Sequence, residues 1–447
     1  MMQAVDIAAA VRAGHVRAID MVERCLAGLA QADHLAAVTR VLAARARAEA
    51  AQVDAAIAHG HDPGPLAGVP YGVKDLFDVV GLPTTAGSSL YADAAPATHD
   101  AEAICRLRGA GAVLVATLNM DEFAYGFATI NATHGTTRNP HDVTRLAGGS
   151  SGGSAAVVAA GLMAFSLGTD TNGSIRVPAS LTGIYGLKPT HGALPMAGVF
   201  PFAESFDDAG PFTTSVADMR CIWQVLTGSP VDGAAPTDLR VARLGGRFRD
   251  NADPDQLAAI DAIAPHAPII ELPEIARARS AAFLITAFEG GALHADALGR
   301  AAMQFDPATR DRLMAGALLP RALYDEALAF RRDFKQQTAV VIADYDVLLA
   351  PAAPCVAPLI ADPRIVIDGG MVPARSDLGI HTQPISFTGL PALSVPLRRP
   401  GRLPLGLQLI GKPGGEAALM AFAEMLEGTG LTGQGLTGIA SPVEELA

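Results

Sequence analysis

The chain has 447 residues, 50% of them hydrophobic and only 5% aromatic, with a formal net charge of −12. That length suits one large α/β domain or two to three smaller ones, with a core built mostly from Ala, Val, Leu and Gly. The acidic balance, without a sizeable basic patch, argues against a nucleic-acid binder.

Residues 4–31 and 37–59 read as amphipathic helices, with Leu26, Leu29, Val38 and Leu42 at helical spacings and Arg and Glu between them. Pro63, Gly64 and Pro65 end that region. Val69, Tyr71 and Val73 then alternate with Pro70, Gly72 and Lys74, the pattern of a strand. Residues 100–109 are expected to be helical, and Ala112–Leu118 is a β-branched run of buried-strand length. Gly148–Gly153 is a glycine loop opening an Ala/Val helix that ends near Gly161, and Met163–Leu167 is the next expected strand. Alternation of this kind to about residue 230 predicts a mainly parallel sheet with helices on both faces. Residues 231–340 are helix-rich, with a loop at Asp232–Pro236 and a helix over Leu313–Lys335 in which Pro320 is a kink or boundary. Val347–Ala350 and 391–410 return to strand character. The expectation is one domain over 1–447: N-terminal helices (1–62), a core (63–230), a helical insert (231–340), and a C-terminal part (341–447) that completes the sheet.

Cys25, Cys105, Cys221 and Cys355 are far apart and form no CxxC pair, as expected of reduced thiols in a cytosolic protein. The first residues lack a basic segment followed by an apolar one, and Ser154–Gly168 is too short to span a bilayer. A cytoplasmic enzyme without membrane contact is the expectation.

Two segments carry candidate chemistry, Gly148–Ser154 and Gly168–Arg176. The first fits a phosphate-binding turn, a GxSxG nucleophile elbow around Ser150, or a plain tight turn. It lacks the lysine of a P-loop. In the second, Asp170, Asn172, Gly173, Ser174 and Arg176 crowd into a turn after an expected strand. Such a turn can aim consecutive N–H groups at one point, as an oxyanion hole requires, with Asp170 and Arg176 pairing across it. Lys74 at the end of its strand is a base if buried and an ordinary surface lysine if not. His59 and His61 form an HxH pair with no third ligand nearby, so neither a metal nor a cofactor is indicated. A Ser-His-Asp hydrolase would need His191, His294 or His381 beside Ser150.

Together, Leu66–Asp75, Asn119–Gly126, Gly148–Ser154, Gly168–Pro178, Gly186–Pro189, Ser205–Pro211 and Gly406–Ile410 resemble the amidase signature family over nearly the whole chain. The resemblance implies a large mixed, mainly parallel sheet sandwiched between helices. It implies Ser174 as the acyl-forming nucleophile, Ser150 as a bridging serine after a cis peptide bond from Gly149, and Lys74 as general base. The N–H groups of Thr171, Asn172, Gly173 and Ser174 match the oxyanion hole, and Asn172 stands where the common family turn has Gly. Tyr125, Ser151, Arg312 and Gln383 are the candidate substrate contacts; Tyr125 also reads as a core tyrosine and Arg312 as a surface helix arginine.

Within the family, Asn139–Asp142, Phe248–Ala252, Phe283–Gly291 and Thr382–Phe387 are similar to the 1-carboxybiuret hydrolases of s-triazine (cyanuric acid) breakdown. That resemblance implies hydrolysis of a linear C–N amide bond in a small carboxylated ureido compound, with release of ammonia. Oxalurate and similar ureido acids are alternatives, as is the glutaminase subunit of a tRNA-dependent amidotransferase. It also implies a homodimer carrying a small helical accessory subunit. Phe283, Leu284, Ile285 and Phe288 are offered as apolar surface for such a partner.

Overall fold

The computed structural model describes residues 3–229 and 238–433. Its first helical run is two helices, Ala4–Arg12 and Ala18–Gln31, broken at Gly14, whose φ of +72° favours glycine. The helix expected over 37–59 is corrected. Val38–Val41 is a strand paired antiparallel with Val113–Leu118, and only Ala43–Ala58 is helical. The helical spacing of Val38 and Leu42 was outweighed by the backbone hydrogen bonds that the neighbouring strand supplies.

The strands expected in the core are Pro70–Lys74, Val113–Leu118, Phe165–Asp170 and Val347–Pro351, the third shifted toward Asp170. Every residue in all four is buried, so both faces of the sheet are covered. Eleven strands form this sheet in the order Val38–Val41, Val113–Leu118, Pro70–Lys74, Phe165–Asp170, Asp208–Thr213, Tyr185–Lys188, Ala392–Pro396, Gly406–Gly411, Val347–Pro351, Val241–Leu244, Ile269–Ile270. Strands from before residue 120 and from after residue 390 thus belong to one sheet.

The mixed α/β sheet is as expected, but its parallel majority is not. Four neighbouring pairs are parallel and six are antiparallel. Parallel neighbours need a crossover, usually helical. Between Lys188 and Asp208 the chain has no helix, so Asp208–Thr213 returns antiparallel to both Tyr185–Lys188 and Phe165–Asp170. Ala392–Pro396 and Gly406–Gly411 are likewise joined by a short loop and pair antiparallel.

The helix expected at 313–335 is two, Pro307–Ala317 and Arg321–Ile342, with Pro320 as the boundary. Ile275–Ala301 packs against both. The loop expected at Asp232–Pro236 lies outside the described residues. Among the described residues no helix is long and apolar enough to cross a membrane.

Candidate active site

Pro70–Lys74 runs parallel to Phe165–Asp170, so Lys74 and the turn after Asp170 emerge at the same end of the sheet. In open α/β sheets that carboxyl end is where ligands bind. Lys74 is fully buried. Its Nζ donates to Ser150 Oγ at 2.8 Å and to Thr169 Oγ1 at 2.8 Å. Burial pushes its pKa down to about 7, against the opposing pull of Asp121, Asp207 and Asp170. Desolvation wins because no carboxylate makes an ion pair with the ammonium among the described residues.

Ser150 follows a cis peptide bond from Gly149. A Cβ on Gly149 would collide with Asp121 Oδ2, which reserves that position for glycine. The same Asp121 oxygen accepts the amides of Ala128 and Thr129 at 3.1 and 2.9 Å. The Ser151 amide donates to the Ser174 carbonyl at 3.3 Å, joining the two serine-bearing loops.

The turn after Asp170 is held from two sides. Asp170 Oδ2 accepts the amides of Ile175 and Arg176 at 3.2 and 3.3 Å. Arg176 is fully buried and donates to Asp170 through Nε (3.0 Å) and Nη2 (2.9 Å). Its remaining N–H groups reach the Thr382 carbonyl, Gln408 Oε1 and Ser386 Oγ. Burial alone would raise the Asp170 pKa, but the Arg176 charge and hydrogen bonds hold it below the ordinary value. On the other side, Thr382 Oγ1 donates to the Asn172 carbonyl at 2.7 Å, and Thr171 Oγ1 donates to Asp207 Oδ1 at 2.5 Å. Gly173 sits at φ +137°, and a Cβ there would collide with Thr382 Oγ1. Between these anchors the amides of Thr171, Asn172, Gly173 and Ser174 donate to no protein acceptor among the described residues. They form four consecutive open donors next to a buried serine, an arrangement able to hold a developing oxyanion.

The structure divides the candidate substrate contacts. The Tyr125 hydroxyl is buried with no hydrogen-bond partner among the described residues, and its ring faces the Arg312 guanidinium at 3.8 Å. Arg312 is half-buried, donates to the Tyr125 carbonyl at 3.1 Å, and forms no salt bridge among the described residues. Burial lowers its pKa below the ordinary guanidinium value. It is therefore not a free surface arginine. Gln383 is buried and its Oε1 accepts from Arg279 Nε at 3.0 Å, which occupies the acceptor end of the side chain. The geometry argues against Ser151 as a substrate contact. Its hydroxyl donates to the Thr169 carbonyl at 3.1 Å and accepts the Thr169 amide at 3.3 Å, locking the loop to the strand.

The histidines take no part in this constellation. His294 and His381 are buried against phenylalanine rings, their ring nitrogens have no hydrogen-bond partner among the described residues, and burial lowers their pKa to about 4 and about 3. His191 contacts Asp208 through Nδ1 at 3.0 Å, without a serine beside it. Sequence reasoning missed Thr169, Asp207, Thr286, Thr382, Ser386 and Gln408. All six lie inside stretches already singled out, but Thr286, Thr382, Ser386 and Gln408 come from 112 to 234 residues beyond Ser174, and nothing in those stretches says that they meet the Ser174 turn.

The family model described as Amidase matches residues 20–242 and 269–420. AtzE of Pseudomonas sp. (strain ADP), one subunit of a 1-carboxybiuret hydrolase, is 43% identical, over 96% of this chain and 99% of that protein. One subunit of the glutamyl-tRNA(Gln) amidotransferase of Chloroflexus aurantiacus is 36% identical, over 93% of this chain and 94% of that one. A solved structure of a vestigial protein complex bearing on the origins of an s-triazine catabolic enzyme superposes with a TM-score of 0.92 at 42% identity, over 96% of this chain and 99% of that one. A crystal structure of an amidase gives 0.89 at 32% identity, over 96% and 100%. Sequence and fold agree along both halves of the molecule, and the chain belongs to the amidase family as an amide hydrolase.

Proposed function

We propose that the chain hydrolyses a linear C–N amide bond in a small carboxylated ureido compound, 1-carboxybiuret or a close analogue, through an acyl-enzyme on Ser174. The observation that carries the chemistry is the buried Lys74 amine in hydrogen-bond contact with Ser150, with its pKa lowered to about 7. In its neutral form Lys74 takes the proton of Ser150 while Ser150 takes that of Ser174. Ser174 Oγ attacks the carbonyl carbon, and the carbonyl oxygen collects negative charge against the amides of Thr171 to Ser174. The relay returns the proton to the leaving nitrogen as the C–N bond breaks and ammonia departs. Water then attacks the acyl carbon by the same route and frees the carboxyl product and Ser174.

The substrate class is supported by the 43% identity to one chain of a 1-carboxybiuret hydrolase, and by Arg312, a half-buried cation without a carboxylate partner among the described residues. Its planar fork suits a substrate carboxylate. The second reading, a glutaminase subunit of a tRNA-dependent amidotransferase, is favoured by the relatives at 36% identity. Ammonia release from 1-carboxybiuret, oxalurate, allophanate and glutamine, compared as kcat/KM, separates the readings. A preference for glutamine overturns the first.

For the assembly, the reading is a homodimer with one small accessory subunit on each protomer. The similar protein is named as a subunit, and the similar structure comes from a protein complex. Of the four apolar residues expected at a partner surface, Ile285 is buried, Leu284 and Phe288 are partly buried, and Phe283 is 38% exposed. Light scattering on the chain expressed alone tests this: a stable, fully active monomer contradicts it.

A further inference from the structure

Asn172 is 8% exposed, and its side-chain Nδ2 lies 3.3 Å from Thr286 Oγ1 on the helix Ile275–Ala301. Thr286 has a single hydroxyl proton, and that proton is directed at its own helix, to the carbonyls of Ala282 (3.0 Å) and Phe283 (3.2 Å). Toward Asn172 the hydroxyl oxygen can therefore only accept. This fixes the amide: Nδ2 must face Thr286, and Oδ1 must face away from it. Oδ1 is buried and has no hydrogen-bond partner among the described residues. The residue's main chain is pinned as well, its carbonyl accepting from Thr382 Oγ1. Buried acceptors without partners are rare and call for an explanation, most directly a ligand donor.

One residue thus offers an open main-chain N–H and, from its side chain, an oriented acceptor. A substrate in which an N–H stands next to the scissile carbonyl answers both, its carbonyl oxygen taking the main-chain donor and its N–H the Oδ1. Glycine at this position would supply the N–H alone. We infer that Asn172 is a specificity-determining residue whose Oδ1 accepts the acyl-side N–H of a ureido substrate, selecting it over amides carrying methylene there. Thr286 acts as the positioning residue that holds the amide in this orientation. The inference rests on the ureido reading proposed above.

The test uses a matched pair of carboxylated probes, N-carbamoylglycine with –NH– beside the terminal carbamoyl carbonyl and succinamate with –CH2– there. The readout is the ratio of their kcat/KM values. Wild type is expected to favour the ureido probe by about 10- to 100-fold, the scale of one hydrogen bond to an otherwise unpaired group. In Asn172→Gly, which keeps the main-chain N–H, the ratio should fall about 10- to 100-fold from the wild-type value. Thr286→Val should lower the ratio and Thr286→Ser should restore it, with thermal unfolding midpoints recorded for each variant. A wild-type preference that survives Asn172→Gly unchanged overturns the inference and leaves the ureido reading standing. A wild type that prefers succinamate overturns the ureido reading, and the inference with it.

Discussion

Arg176 and Arg312 are both withdrawn from solvent, and the protein treats their charges in opposite ways. Arg176 is fully buried, paired with Asp170, and its remaining N–H groups are met by Thr382, Gln408 and Ser386. Nothing is left for a ligand; the guanidinium ties the Ser174 turn to the helix Gln383–Thr388 and the strand Gly406–Gly411. Among the described residues Arg312 makes one hydrogen bond, to the Tyr125 carbonyl, and its face lies against the Tyr125 ring. A cation with every donor engaged is architecture, and a half-buried cation with donors to spare is a place for an anion. On the proposed reading, the two arginines mark the boundary between the part of the site that must not move and the part that meets substrate.

The largest effect that sharpens this boundary is expected at the proposed nucleophile, whose turn the Arg176 network holds. Ser174→Ala should lose at least about a thousandfold in kcat with an unchanged unfolding midpoint, since only a small hydroxyl is removed. One tenth of wild-type turnover in purified Ser174→Ala would contradict the assignment. Lys74→Ala should be similarly impaired. In the proposed relay Lys74 acts as the neutral amine, and with its pKa lowered to about 7 the active fraction should grow as pH rises. Wild-type kcat/KM should climb about tenfold per pH unit below 7 and level above about 8. A profile that falls over that range would exclude a lysine base.

Asp170→Asn leaves Arg176 buried and unpaired, and should cost about 3–5 kcal/mol in denaturant-induced unfolding. Arg312→Ala should instead leave stability nearly unchanged and raise KM about 10- to 100-fold for a carboxylated substrate, with little change in KM for a neutral amide. Equal stability losses in the two variants would erase the distinction drawn between the arginines. The smallest effect is expected for His191→Asn, within about threefold of wild-type activity, because His191 meets Asp208 and no serine.

The sequence made the ends of this network readable and left its middle hidden. Lys74, Ser150 and Ser174 stand in compact motifs whose glycines are required by close approach, as at Gly149 and Gly173. The β-branched run Val113–Leu118 announced its strand, whereas Val38–Val41 lay between helices and took its identity from a partner more than 70 residues away. The parallel majority was misjudged because the connection from Lys188 to Asp208 contains no helix, and only the folded chain reveals which neighbour it joins. Ser386 and Gln408 carry no sign in sequence that they complete the donors of Arg176. Nor does Ser151 differ locally from Ser150; only its two bonds to Thr169 mark it as a brace.

The central claim is that the acyl group resides on Ser174 and that Ser150 only passes a proton. The direct measurement is peptide mapping by mass spectrometry after acid quench of the enzyme reacting with a slowly deacylating amide or ester. The account predicts a single acyl adduct on the peptide containing Ser174, absent in Ser174→Ala. An adduct on Ser150 would instead support the nucleophile-elbow reading of Gly148–Gly152 and contradict the relay.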